Sequence, residues 1–507
     1  MSLKKAVIAN YFGQGWSALM GIAFMPLIIK YLGAEAYGLV GVFVMLQAWF
    51  SLLDMGMTPT LNREMARYLG GAHTLQSIRD LLRSLEIMCF AIALLIGCII
   101  WQASEWLASH WLRLEKLSLA DVAQAISIMA FVVSFRFIEG IYRGALMGLQ
   151  KQVWLNIISS VFETLRWGGV ILVLKWTTPS IKTFFLWQGA VSLASIPLFI
   201  FVLYKSLPRL KQSAKFSWIQ LQGVLSFAGG MMAQALLALL LTQVDKVLLS
   251  RLLSLETFGY YTLATTFTGV MLKLVAPIVL AFFPRFSELV VKEDTVSLIN
   301  IYHKSAQMVS IITIPIAVIL VFFGQEILLL WSGNPILANN VSPILALLAL
   351  GTMLNCLMQI PSILTIAYGR PDFFVRINII AAIVLVPAIF WSTSHYGAVG
   401  ASGVWLIFNL ANILIASRLL HLKFLKTEMN HWYKYDIFYP FVCGTLTVIV
   451  FEFLNPDFSF PLVKLLWILA SGLCAVIISG LSIYSIRRSI ALFLQYDRIF
   501  KVSYIKK

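Results

Sequence analysis

The chain has 507 residues, 60% of them hydrophobic and only 12% charged, with a net charge of +16. A mean hydropathy of +0.88 excludes a water-soluble globule, because so few charges cannot furnish a water-facing surface. The bilayer is then the solvent, and basic loops drawn to anionic lipid headgroups account for the positive charge without nucleic acid.

An apolar run of roughly 20 residues crosses the hydrocarbon as a helix, since backbone groups there need internal partners. About fourteen such runs are expected, near 8–30, 38–60, 82–104, 119–142, 153–176, 181–204, 221–249, 258–283, 306–330, 341–367, 376–394, 398–420, 437–454 and 462–485. The first follows Lys4 and Lys5 but is too long for a signal-peptide core and has no small-residue cleavage site after it, so it is expected to stay. It holds Gly13, Gly15, Gly21 and Pro26; the seventh holds Gly229 and Gly230, and the eighth Pro277 and Pro284. These residues fit either hinge helices or ordinary close packing. Gly13-Gln14-Gly15 is not a phosphate loop, because no strand precedes it. The five cysteines lie within spans and share no short ligand or redox spacing. The six histidines sit at span edges or in loops and never recur at i, i+4, so spacing supports no metal site.

The chain repeats itself. Residues 28–39 (IIKYLGAEAYGL) align with 249–260 (LSRLLSLETFGY), matching Lys30 to Arg251, Glu35 to Glu256 and Gly38 to Gly259. Further on, Arg63 falls near Arg285, Glu105 on Glu326, Trp111 beside Trp331 and Trp187 near Trp405. Six spans per repeat is an even number, so the copies enter the membrane in the same orientation, related by an axis along the membrane normal. The expected division is an N-terminal six-helix lobe at 1–210, a C-terminal six-helix lobe at 211–430, and two extra transmembrane helices with a basic tail at 431–507.

With both termini inside, 27 of the 38 Lys and Arg residues fall on the inner face, 7 on the outer and 4 within spans. That bias predicts cytoplasmic termini. Eight ionisable residues lie well inside spans: Asp54, Arg136, Glu139, Glu163, Arg166, Asp245, Lys246 and Lys273. Each costs about 2.5–3.5 kcal/mol at a helix centre unless it faces protein or water. Arg136, Glu139 and Arg143 align along one helix face, and Glu163 with Arg166 repeats the i, i+3 spacing. Two readings follow: the pairs Arg136–Glu139 and Glu163–Arg166 merely neutralise each other, or the charges form a polar cavity whose cations hold an anionic group and whose carboxylates couple to an ion. Asn378, Asn409 and Asn412 could add oxygen ligands, or bond between helices.

The segments PLIIKYLGAEAYG from Pro26 to Gly38, Leu52-Leu53-Asp54-Met55-Gly56, Leu61-Asn62-Arg63-Glu64-Met65-Ala66, Gln243-Val244-Asp245-Lys246 and Phe258-Gly259-Tyr260-Tyr261 resemble, in this order and with the repeat, a Wzx-type O-antigen or polysaccharide flippase of the multidrug/oligosaccharidyl-lipid/polysaccharide exporter superfamily. The resemblance covers essentially the whole chain. It implies an all-α integral membrane carrier of the bacterial inner membrane that turns undecaprenyl-pyrophosphate-linked oligosaccharide to the periplasmic leaflet by alternating access. No cofactor is implied beyond coupling to H⁺ or Na⁺. Substrate, membrane lipid, and a polysaccharide polymerase with its chain-length regulator are the implied partners. On this reading Arg63, Arg136, Arg166, Lys246 and Lys273 are substrate-binding candidates, and Asp54, Glu139, Glu163 and Asp245 ion-coupling ones. Two alternatives stay open. A multidrug or toxin cation antiporter would favour a net acidic pocket, whereas four cations here balance four anions. A polymerising enzyme would carry a substantial periplasmic loop and a nucleophile or metal cluster.

Overall fold

Apolar runs fold as helices here because helix hydrogen bonds close within the segment. The computed structural model describes residues 3–54, 56–208, 213–370, 372–456 and 460–483; these carry helices, one isolated bridge between Arg113 and Ser254, and no strand. Eleven stretches of the described residues are long and apolar enough to cross a membrane, from Phe12–Leu32 to Pro461–Leu481. Ala34–Phe50 is a shorter apolar helix, and Trp218–Leu252 a helix of 35 residues. The runs expected at 376–394 and 398–420 share one stretch, Ala382–Phe424, bent at Gly397, whose φ of 59° only glycine adopts freely.

Local chemistry sets the breaks. Leu3–Ala23 and Met25–Leu32 part at Phe24, with Pro26 in the first turn of the second helix, where its missing N–H costs nothing. Thr74, Ser118, Ser180 and Asp294 cap their helices by accepting from the N–H three residues on.

Two compact units result, Met1–Thr262 and Leu263–Lys507. In the first, Met57, Leu61, Ile78, Leu82, Tyr142 and Phe199 belong to one buried core. Met57–Leu69 docks on Leu119–Gly148 through Gly140, Gly144 and Gly148: a Cβ at Gly148 would stand 2.3 Å from Asn62 O, and one at Gly144 2.7 Å from the Thr58 methyl. Small residues every fourth position let two backbones approach this closely. The repeat-matched glycines also meet, since a Cβ on Gly259 would lie 3.0 Å from Gly38 N. Their matched glutamates converge on one loop. Glu35 accepts from the N–H groups of Glu115, Lys116 and Leu117 at 2.7–3.0 Å, and Glu256 pairs with Lys116 at 2.5 Å. Trp218–Leu252 joins this unit too, with Ser250 accepting from Trp111 Nε1 at 3.1 Å.

The outer surfaces carry many large apolar side chains. Leu94 in the first unit is 70% exposed and Phe453 in the second 88%, which water would penalise and lipid does not.

Candidate functional site

Leu119–Gly148, Gln152–Thr164 with its π-helical continuation Leu165–Gly169, and Ile181–Ser206 bring five charged residues into one network in the first unit. Glu139 is buried and accepts from Arg143 at 3.0 Å on one oxygen, and from Arg166 at 2.7 Å and Ser195 Oγ at 2.8 Å on the other. Arg166, equally buried, spends its second terminal nitrogen on Glu163 at 2.8 Å, whose other oxygen accepts from Trp167 Nε1 at 3.1 Å. Every oxygen of both carboxylates is therefore engaged. A guanidinium held on two sides by carboxylates satisfies both charges inside an apolar bundle.

Arg136 is placed differently. Its terminal nitrogens donate at 3.1 Å to two neutral amides, Gln47 Oε1 and Gln188 Oε1, and it lies over the Phe43 ring at 5.1 Å. Among the described residues no carboxylate reaches ion-pair distance of it, and its Nε makes no hydrogen bond. Three guanidiniums against two carboxylates leave the network one positive charge in excess, and that excess resides at Arg136. Gln47, Ser51, Asp54, Thr58, Arg136 and Gly140 line a cavity of about 350 Å³. Asp54 ends the turn Ser51–Asp54 and is committed to the next helix, accepting from Thr58 N–H at 3.0 Å and Thr58 Oγ1 at 2.9 Å. The cavity wall thus offers a guanidinium in no ion pair beside hydroxyl and amide groups, with the Asp54 carboxylate turned to Thr58.

The remaining candidates lie elsewhere. Asp245 accepts from Tyr261 OH at 2.8 Å through one oxygen while its other oxygen makes no hydrogen bond. Lys246 donates to Gln243 Oε1 at 3.0 Å. Arg63 stands on the exposed face of Met57–Leu69, 3.6 Å from Glu64, outside the cavity wall. Lys273 is exposed on Leu255–Val291 and belongs to the second unit. Asn409 bonds between helices, accepting from Asn355 at 3.0 Å, while Asn412 lines an apolar groove of about 420 Å³. The Asn378 side chain lies outside the described residues. Gln47, Gln188 and Ser195 are site residues that charge counting passes over; amides and hydroxyls inside apolar spans are the signal that finds them.

The family described as polysaccharide biosynthesis protein matches residues 3–290. A putative O-antigen transporter of Shigella flexneri is 22% identical over 440 residues, covering 86% of this chain and 100% of that protein. The lipopolysaccharide biosynthesis protein WzxC of Escherichia coli K12 is 24% identical over 236 residues, 46% of this chain and 47% of WzxC. Among solved structures, the fold is similar to the lipid II flippase MurJ in an inward closed conformation, with a TM-score of 0.71 at 16% identity over 94% of this chain and 98% of that one. It is also similar to an inward-facing multidrug resistance MATE transporter of the MOP superfamily, with a TM-score of 0.64 at 12% identity over 82% and 96%. The structural likeness shows a shared fold, and with more than half of its length matched by the family, this chain belongs to the polysaccharide biosynthesis protein family.

Proposed function

We propose that the chain is a flippase, not an enzyme, and that it carries undecaprenyl-pyrophosphate-linked oligosaccharide, an O-antigen or related unit, across a bacterial inner membrane by alternating access. The family and the names of its relatives support a carrier of lipid-linked sugar. The observation that carries the reading is Arg136: a guanidinium on a cavity wall, oriented by two amides and matched to no carboxylate, is suited to a pyrophosphate oxygen. Arg166, paired with Glu139 and Glu163, holds the helices that orient it.

Fourteen spans in two six-helix repeats and a C-terminal pair, with both termini cytoplasmic, complete the proposed architecture. The lobes at 1–210 and 211–430 would be the moving parts. Coupling to H⁺ or Na⁺ is assigned to Asp245, whose second oxygen is uncommitted, in preference to Glu139, Glu163 or Asp54, whose oxygens are engaged. A polymerase and chain-length regulator are the proposed partners downstream.

Proteoliposomes test the reading. Arg136→Ala should slow flipping of lipid-linked oligosaccharide by at least about tenfold, the worth of one charge-assisted hydrogen bond, with Arg136→Lys retaining part of the rate. Wild-type flipping by Arg136→Ala overturns the role of Arg136. Wild-type protein that exports a cationic dye and leaves the lipid-linked sugar in place overturns the flippase itself.

A further inference from the structure

In the second unit, side chains from three helical segments converge on one point. His303 belongs to Thr295–Phe322, His431 ends the short helix Met429–His431, and Asp436 lies in the π-helical stretch Trp432–Phe438. A π-helix bonds residue i to i+5, which brings positions five apart, such as 431 and 436, onto one side. The Nδ1 atoms of the two histidines stand 3.2 Å apart, and His303 Nδ1 is 2.5 Å from Asp436 Oδ2. All three atoms lie within 4.8 Å of one another.

We propose that His303, His431 and Asp436 bind one divalent transition-metal ion of the Zn²⁺ class. Ligands at about 2.0–2.1 Å from a tetrahedral Zn²⁺ stand roughly 3.3 Å apart, close to the separation of the two imidazole nitrogens. Two imidazoles and one carboxylate suit a borderline-soft ion and disfavour Ca²⁺ or Mg²⁺, which take oxygen ligands. The outer contacts match those that orient metal ligands elsewhere. His303 Nε2 faces Glu428 Oε2 at 3.1 Å, leaving Nδ1 to the ion, and the other oxygen of Asp436 accepts from Gln307 Nε2 at 2.8 Å. Asp436 and His303 are buried while His431 is exposed, so the site is open to solvent on the His431 side. Imidazole and carboxylate bind the ion in their deprotonated forms, so binding releases protons and affinity rises with pH. The ion would clip Thr295–Phe322 to the segment that leads into Tyr439–Phe453.

The full chain in detergent, freed of any affinity tag, is titrated with Zn²⁺ and with Co²⁺, whose visible absorption reports its coordination geometry. Saturable binding of one ion per chain is expected, with a tetrahedral Co²⁺ spectrum and a higher melting temperature on Zn²⁺ addition. Glu428→Gln should weaken affinity about 10–100-fold, and His431→Ala by at least as much. Asp436→Asn leaves a buried imidazole poorly paired and can fail to fold, so the exposed His431→Ala carries the test. No saturable binding, or binding unchanged in His431→Ala, overturns the site and leaves a hydrogen-bonded histidine cluster alone.

Discussion

Arg166 in the first unit and His303 in the second are both buried basic groups gripped by two carboxylates, Glu139 and Glu163 in one case, Asp436 and Glu428 in the other. Their chemistry diverges at the proton. A guanidinium never gives its proton up, so the Arg166 network is a permanent fixture whose value is mechanical. An imidazole exchanges its proton for an ion near neutral pH, so the same grip around His303 makes a site with more than one state. The partners also arise differently. Arg166 meets Glu163 three residues away, whereas His303 meets Glu428 and Asp436 at separations of 125 and 133 residues.

Arg166→Ala is the severest way to break this comparison. It strands two carboxylates among apolar helices, and breaking a buried pair costs about 3–5 kcal/mol. Melting and membrane yield should both fall sharply, and wild-type melting would refute the mechanical role. Asp436→Asn comes next, at about 1.5–3 kcal/mol for a hydrogen bond to a charged group, with a melting shift that Zn²⁺ does not reverse. Arg136→Ala should cost only about 1–2 kcal/mol, because the amides it leaves are neutral and only Gln188 is buried, while flipping slows at least about tenfold. A stability loss as large as that of Arg166→Ala would make Arg136 one more strut. The smallest effect belongs to His431→Ala, whose ring is exposed and touches His303 and Tyr435: its melting should fall only slightly without metal and no longer rise with Zn²⁺. A metal-free loss as large as that of Asp436→Asn would show that His431 is structural.

Much of the architecture was legible because it is local. Run length and hydropathy located the long helices, and charges three apart on one helix face anticipated Glu163 with Arg166, whereas the pairing expected of Arg136 with Glu139 gives way to Arg143 and Arg166. The alignment of Gly38 with Gly259 acquired a physical meaning when the two backbones proved to touch. The spacing of Gly140, Gly144 and Gly148 stands equally plainly in the sequence, yet its consequence, the docking of Met57–Leu69 that brings Asp54 and Thr58 to the cavity wall, needs a partner helix to be known. Within the first unit, Arg136, Arg166, Lys246 and Arg63 meet different partners for a related reason. Position along a span says that a charge is buried and leaves open which neighbour it meets.

The sequence by itself determined the solvent, the helical form, and which charges share a helix face, because composition and the 3.6-residue turn govern those without reference to anything distant. Only the tertiary structure decided that Glu139 is claimed by Arg166 from another helix, that Arg136 is left facing amides on an open wall, and that His303, His431 and Asp436 share a point. Contacts between helices depend on the rotation and depth at which each helix packs. Those are set by the summed fit of many apolar side chains, a quantity that no spacing along the chain encodes.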